Sequence, residues 1–394
     1  MSKNFIKRIC LIIVFATLAL FLFGCDRSYY SVLGNPTSER FSEGQIASCV
    51  WDITYHDGKI FIGSGDYDKN TRPTDIWAFD LQSEEWVKTG TVEDDAITRF
   101  LYINNKLVAP GIDPAEDWTL GNYYTYNGST WEKTRTLPNA VHTFDMLEYE
   151  GKLFAGIGVD HDFSPFVVSI DGGQTFNHVE LYKDNKPEDL EQYAFSRAYE
   201  LIEYNSKLYS IVRHAFMKGQ TEQDGYTYVS TLYVYENGVM NSVCDLTGKF
   251  NLFGASVNMF NSKATFNEKL YFASDYLYQT SDMQNFEKIR LPQGQAVSKF
   301  IIENDTMYIL GVKQVGEQFR NVVYSTKDVV TFEEVFCFDY SVPALSMVKV
   351  QDDFYLGMGN RFTKNKQNGE VIKVYPKDKE AHSNECAFSV INRG

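Results

Sequence analysis

At 394 residues, 44% hydrophobic and 23% charged, the chain has a globular composition with ample material for a large core. Its net charge of -15 argues against a nucleic-acid-binding face, which needs a basic excess, and against an electrostatic grip on anionic lipid. Aromatic residues make up 15% of the chain, with 29 Phe and 26 Tyr, which favours strands.

In chain order, Lys3, Lys7 and Arg8 precede an apolar stretch of 15 residues from Ile9 to Phe23. That is short for a spanning helix and suits a signal peptide. It ends in Leu22-Phe23-Gly24-Cys25, which resembles the lipobox of bacterial lipoproteins, with a bulky Phe23 where a smaller residue is usual. The resemblance implies cleavage before Cys25 and a diacylglycerol on its thiol, hence membrane attachment through lipid, facing outside the cytoplasm. By the same analogy, Asp26 favours retention at the inner membrane of a Gram-negative cell. Residues 1–24 are then the signal peptide, 25–44 a polar lipidated tether, and 45–394 the folded domain.

From Tyr55 onwards a hairpin pattern recurs: YHDGKIFIG, YINNKLVAP, YEGKLFAG, YNSKLYSI, FNEKLYFA, ENDTMYIL and QDDFYLGM. Equivalent positions are Lys59, Lys106, Lys152, Lys207, Lys269, Thr306 and Asp353, spaced by 47, 46, 55, 62, 37 and 47 residues. Each hairpin is followed by a variable loop and a second hairpin; GEVIKVYP and ECAFSVI serve the last unit. Trp86, Trp131, Phe176, Phe286 and Phe332 recur at one place in the second hairpin and are expected to pack between repeats. Four short strands per unit at this period predict an all-β fold, a β-propeller of seven blades, with six as the competing count.

Ser169-Ile170-Asp171-Gly172-Gly173-Gln174-Thr175-Phe176 resembles the Asp-box of sialidase-like (BNR) propellers, S-x-D-x-G-x-T-W/F. Weaker echoes run from Thr280 to Phe286 and from Ser325 to Phe332, and the remaining units look kelch-like. In the sialidase family these boxes lie away from the catalytic face. Ser169, Asp171, Gly173, Thr175 and Phe176 therefore read as a turn device and no guide to chemistry.

No arginine triad, HExxH, nucleophile elbow or phosphate loop is present. The opening Asp66-Tyr67-Asp68-Lys69-Asn70 lacks the glycine and glutamate of a calcium loop, and no metal or cofactor is expected. Cys49, Cys244, Cys337 and Cys386 show no metal-ligand spacing and read as separate thiols, with a Cys49–Cys386 bridge as the alternative.

One column stands out when the repeats are set in register. Seven residues before each aligned turn position lie Asp52, Arg99, Asp145, Glu200, Ser262, Lys299 and Ser346, flanked by mostly apolar neighbours. On an innermost strand these polar residues need solvent or partners. They form either a channel of mutually neutralising charges or, for Asp52, Arg99, Asp145, Glu200 and Lys299, the floor of a ligand funnel. The long loops between first and second hairpins open on one face and carry Tyr67, Trp118 and Phe163, which can stack on sugar rings. The expected function is a cell-surface binding module for a glycan, peptide or protein ligand, without catalysis. The alternatives are a glycosidase-like hydrolase and an envelope-assembly scaffold.

Overall fold

The computed structural model describes residues 29–37, 48–66, 72–160, 164–181, 193–219, 221–250, 262–360 and 368–376. Within them the regular elements are strands and short 3-10 turns, arranged as a β-propeller. The aligned hairpin turns have positive φ at both central residues: Asp57-Gly58 (47° and 76°), Asn104-Asn105 (49° and 59°) and Glu150-Gly151 (52° and 71°). Two-residue turns of this hand match the twist of the flanking strands, which is why Asn, Asp and Gly recur there.

Five four-stranded sheets stand as separate blades. The first runs Asp52–His56, Lys59–Gly63, Thr74–Asp80 and Glu85–Val92; the second is Leu101–Ile103, Lys106–Pro110, Leu120–Tyr126 and Trp131–Pro138. Two more span Ser262–Phe266 to Glu287–Ile289 and Ala296–Glu303 to Glu333–Tyr340. The fifth combines Ala344–Val350, Asp353–Met358 and Val371–Tyr375 with the N-terminal strand Tyr29–Gly34.

The count of seven blades is thereby corrected, and among the described residues six separate blades are not found either. The middle of the chain is one eleven-stranded sheet. Its fusion point is the pairing of Lys152–Asp160 with Tyr193–Tyr204, through Gly158↔Arg197, Val159↔Ser196 and Asp160↔Phe195. The physical cause is strand length. Lys152–Asp160 and Tyr193–Tyr204 run 9 and 12 residues, against 5 for Asp52–His56, so the end of the first and the start of the second extend past their own units and pair with each other.

Two further expectations change. Residues 25–44 were expected to be tether throughout, yet Tyr29–Gly34 pairs antiparallel with Val371–Tyr375 and fastens the chain start to its end. The stretch ECAFSVI lies outside the described residues. Cys49 is free and buried, so it does not bridge to Cys386. Its Sγ lies 3.4 Å from Asn368 Oδ1, and burial pushes the thiol up to about 12. Cys337 is disulfide-bonded, which departs from the expectation of separate thiols there.

Hydrophobic clusters fill the seams between sheets. Phe61 and Ile76 of the first blade pack with Phe100, Leu107, Tyr124 and Trp131 of the second. Val50 and Ile53 meet Tyr355 and Val371 where the ring closes. Fully burying one such side chain contributes roughly 1.5–3 kcal/mol, so each seam outweighs any single polar contact. The recurring aromatics sit in these seams: Trp86 Nε1 donates to Leu33 O at 2.8 Å, and Trp131 Nε1 to Thr89 Oγ1 at 3.0 Å.

The Ser169–Phe176 segment folds as a hydrogen-bonded turn. Ser169 Oγ accepts from Gly173 N at 2.8 Å, and Asp171 Oδ1 accepts from Thr175 N at 2.9 Å. The same device appears at Thr280/Asp282 and Thr326/Asp328.

Candidate functional site

The inner column converges. Arg99 and Glu200 make a two-pronged ion pair, and Arg99 Nη1 also lies 3.2 Å from Asp145 Oδ2. Lys299 Nζ sits 2.6 Å from Asp52 Oδ1. Lys263, which the sequence reading missed, bonds Asp145 and lies 2.7 Å from Glu200 Oε2. With Lys263 the cluster has three acids (Asp52, Asp145, Glu200) and three bases (Arg99, Lys263, Lys299), and its formal charge is zero. A signal was present. In the apolar column Ile53, Phe100, Met146, Leu201, Phe300 and Met347, the equivalent residue is Lys263.

The same side chains stitch neighbouring inner strands. Asp52 Oδ2 accepts the Phe100 N–H at 2.8 Å, Asp145 Oδ2 the Leu201 N–H at 2.8 Å, and Ser262 Oγ the Phe300 N–H at 2.9 Å. Each acceptor takes the amide one residue past the column in the next unit; Arg and Lys, having no acceptor, cannot. Burial works to raise the Asp145 pKa, but Lys263 and Arg99 outweigh it and hold it below the usual carboxylate range. Asp145 and Glu200 are almost wholly buried, whereas the Lys263 and Lys299 side chains keep 22% and 18% exposure. The arrangement neutralises charge and joins inner strands; its carboxylates are already engaged.

A second constellation is built by the sheet fusion. Across the strands His142–Tyr149, Lys152–Asp160, Tyr193–Tyr204, Lys207–Met217 and Tyr226–Glu236, one row reads His142↔Gly158↔Arg197↔Arg213↔Ser230. Residues directly opposite one another share a sheet face. Gly158 is required there: a Cβ on it would stand 2.7 Å from His142 Cδ2. His142 Nδ1 lies 3.1 Å from Asp113 Oδ1, on the short strand Ile112–Pro114.

Both guanidiniums rest on aromatic rings. Arg197 Cζ is 4.6 Å from the Phe195 centroid, and Arg213 Cζ is 3.9 Å from that of Tyr228. Burial opposes the Arg197 charge, but Tyr199 and Asp113 more than offset it and raise its pKa. Burial lowers the Arg213 and His142 pKa values. His142 is therefore a neutral imidazole at pH 7, with Asp113 beside one ring nitrogen. The row combines two cations on aromatic supports with a neutral His–carboxylate pair, which suits recognition of an anionic group and proton exchange beside it.

Adjoining this row is a cavity of about 470 Å³ lined by Arg72, Asp113, Pro114, Ala115, Glu116, Asp117 and Trp118. Of the three expected sugar-stacking aromatics, Trp118 is 53% exposed here; Tyr67 and Phe163 lie outside the described residues. Among the described residues no group of His, Cys, Asp and Glu has the geometry to hold a metal ion. Arg197 was legible as an arginine, but its partnership with His142 and Arg213 depends on long-range pairing.

The fold defines the class, a β-propeller, and solved structures of that class resemble it over most of its length. A polysaccharide lyase of family PL25, an ulvan lyase bound to -[GlcA(1-4)Rha3S]-, aligns at 12% identity with a TM-score of 0.50, covering 89% of this chain and 96% of its own. Virginiamycin B lyase from Staphylococcus aureus aligns at 11% identity and TM-score 0.52, covering 89% and 100%. No family model and no curated sequence matches the chain. At these identities the likeness is one of fold.

Proposed function

We propose that the protein binds a carboxylate-bearing glycan at the face carrying His142, Arg197 and Arg213. The observation that carries this reading is the register row, which sets two aromatic-supported guanidiniums side by side on one sheet face. Planar guanidiniums suit carboxylate recognition, and the surrounding rings suit sugar faces. The inner column of Asp52, Arg99, Asp145, Glu200 and Lys299 acts in this reading as the scaffold beneath the site. Arg197→Ala should weaken glucuronate-oligosaccharide binding by at least about tenfold in calorimetry without changing the folded spectrum. Unchanged affinity would remove the proposal.

A catalytic reading rests on the His142–Asp113 pair. A neutral imidazole next to a carboxylate-binding arginine is placed to remove the proton α to a uronate carboxyl. The electron pair would form the C4–C5 double bond as the C4–O bond breaks, and the leaving oxygen would take up a proton. The fold likeness to two lyases is compatible with this. Appearance of an unsaturated uronate on incubation with polyuronide, lost in His142→Ala while binding persists, tests it; binding with no product leaves a non-catalytic module.

We further propose attachment to the cell surface through lipid on Cys25. Only Asp26, Arg27 and Ser28 separate Cys25 from the strand Tyr29–Gly34, a reach of at most roughly 14 Å. The propeller would then sit close against the membrane and not on a long stalk. Release of Cys25→Ser from the membrane fraction is the expected outcome; normal processing with unchanged retention would refute it.

A further inference from the structure

The cavity beside the arginine row has a different chemistry from the row. One cation, Arg72, and three carboxylates, Asp113, Glu116 and Asp117, line it together with Pro114 and Trp118. Such a lining disfavours an anion and offers acceptors to hydroxyl groups. About 470 Å³ lies within the range of small-ligand sites.

Trp118 is exposed although the loop carrying it is fastened on every side. Arg72 Nη1 donates to Pro114 O at 3.1 Å, and Ala115 N to Glu93 O at 3.0 Å. Arg135 Nη2 holds Asp117 through both its carbonyl and Oδ1, each at 2.9 Å, while Lys133 pairs with Glu116. Asn139 N closes the loop on Thr119 O at 2.8 Å. A large apolar ring held out to solvent on a pinned loop is a platform for a flat apolar face. Asp113 lines this cavity and also touches His142, so the two sites share a wall.

We infer that this cavity is a second carbohydrate subsite, taking a neutral, hydroxyl-rich sugar ring stacked on Trp118 next to the uronate held at Arg197 and Arg213. This rests on the proposed glycan reading and deepens it. The preferred ligand is a heteropolymer in which uronic acid alternates with a neutral sugar, not a homopolyuronide.

The test uses the whole mature protein with four probes: glucuronic acid, the neutral hexose alone, a galacturonate tetramer, and a tetrasaccharide alternating glucuronate with that hexose. The alternating probe should bind best and shift tryptophan fluorescence. Trp118→Ala should weaken it by about tenfold while leaving glucuronic acid unchanged, and Arg197→Ala should weaken both. Binding that needs Arg197 but is indifferent to Trp118 and to the neutral sugar overturns the subsite alone. Trp118-dependent binding of the neutral hexose without any uronate binding overturns the Arg197 reading and keeps the subsite. Equal loss of all probes in Trp118→Ala, with an altered folded spectrum, assigns Trp118 to the scaffold and overturns the subsite. Trp118→Phe, which keeps a ring, should then restore nothing, whereas under the subsite it recovers part of the affinity.

Discussion

Arg99 and Glu200 are 101 residues apart in the chain, yet their side chains meet in parallel, Nη1–Oε2 at 3.1 Å and Nη2–Oε1 at 2.7 Å. Arg99 is 9% exposed and Glu200 fully buried, so neither can fall back on water. Arg99→Ala leaves three carboxylates facing two lysines and should cost about 3–5 kcal/mol in urea denaturation. Replacing Arg99 and Glu200 together by Met should recover part of that loss, because no uncompensated charge remains. A single-mutant cost under about 1 kcal/mol would mean that the pair behaves as a surface one.

The column containing this pair was legible because repeats convert sequence register into proximity. Asp52, Arg99, Asp145, Glu200 and Lys299 needed only alignment on the hairpin turns to be set round one axis. Lys263 was overlooked because it occupies the apolar column, one residue from Ser262. The row His142, Arg197, Arg213 was not legible. It depends on Gly158↔Arg197 pairing between units, produced by strands that run past the usual length. Periodicity marks where strands begin and turn, and it is silent on how far a strand overshoots.

Ring closure is the next point open to measurement. Tyr29–Gly34 supplies five register pairs to Val371–Tyr375, and Leu33 O receives the Trp86 indole N–H. Removing residues up to Asn35 would bare the edge of Val371–Tyr375 and leave that indole short of its acceptor. A loss on the order of 3 kcal/mol, with increased aggregation, is expected in thermal and chemical unfolding. An unchanged melting temperature would show that the N-terminal strand does not fasten the ring.

Gly173 tests the turn in the Asp-box-like segment. Its φ is +93°, and a Cβ there would stand 2.4 Å from the Tyr123 hydroxyl. Gly173→Ala should destabilise by about 1–3 kcal/mol through backbone strain and this clash. Glycan binding per folded molecule should be unaffected, since the turn belongs to the scaffold. Selective loss of binding with normal stability would contradict that assignment.

Asp94 gives the pH dependence its sign. It is fully buried; Tyr124 Oη donates to its Oδ2, Asn122 Nδ2 does so at 3.1 Å, and Oδ1 has no hydrogen-bond partner among the described residues. Burial raises its pKa from 3.8 to about 6, against the pull of Tyr124 and Asn122. A carboxyl raised on folding contributes stability that is complete below about pH 3.8 and is lost as the pH climbs through about 6. At pH 8 the wild type therefore holds a buried charge that an amide would not. Asp94→Asn keeps the shape, and its Oδ1 can accept from both Tyr124 and Asn122. The variant should gain roughly 3 kcal/mol over wild type at pH 8 and almost nothing at pH 4. The gap between the melting temperatures of the pair should widen between about pH 4 and 6 and hold its full size from there to pH 8. Parallel curves, or an amide that destabilises equally at both ends, would show that Asp94 stays ionised and satisfied in the fold.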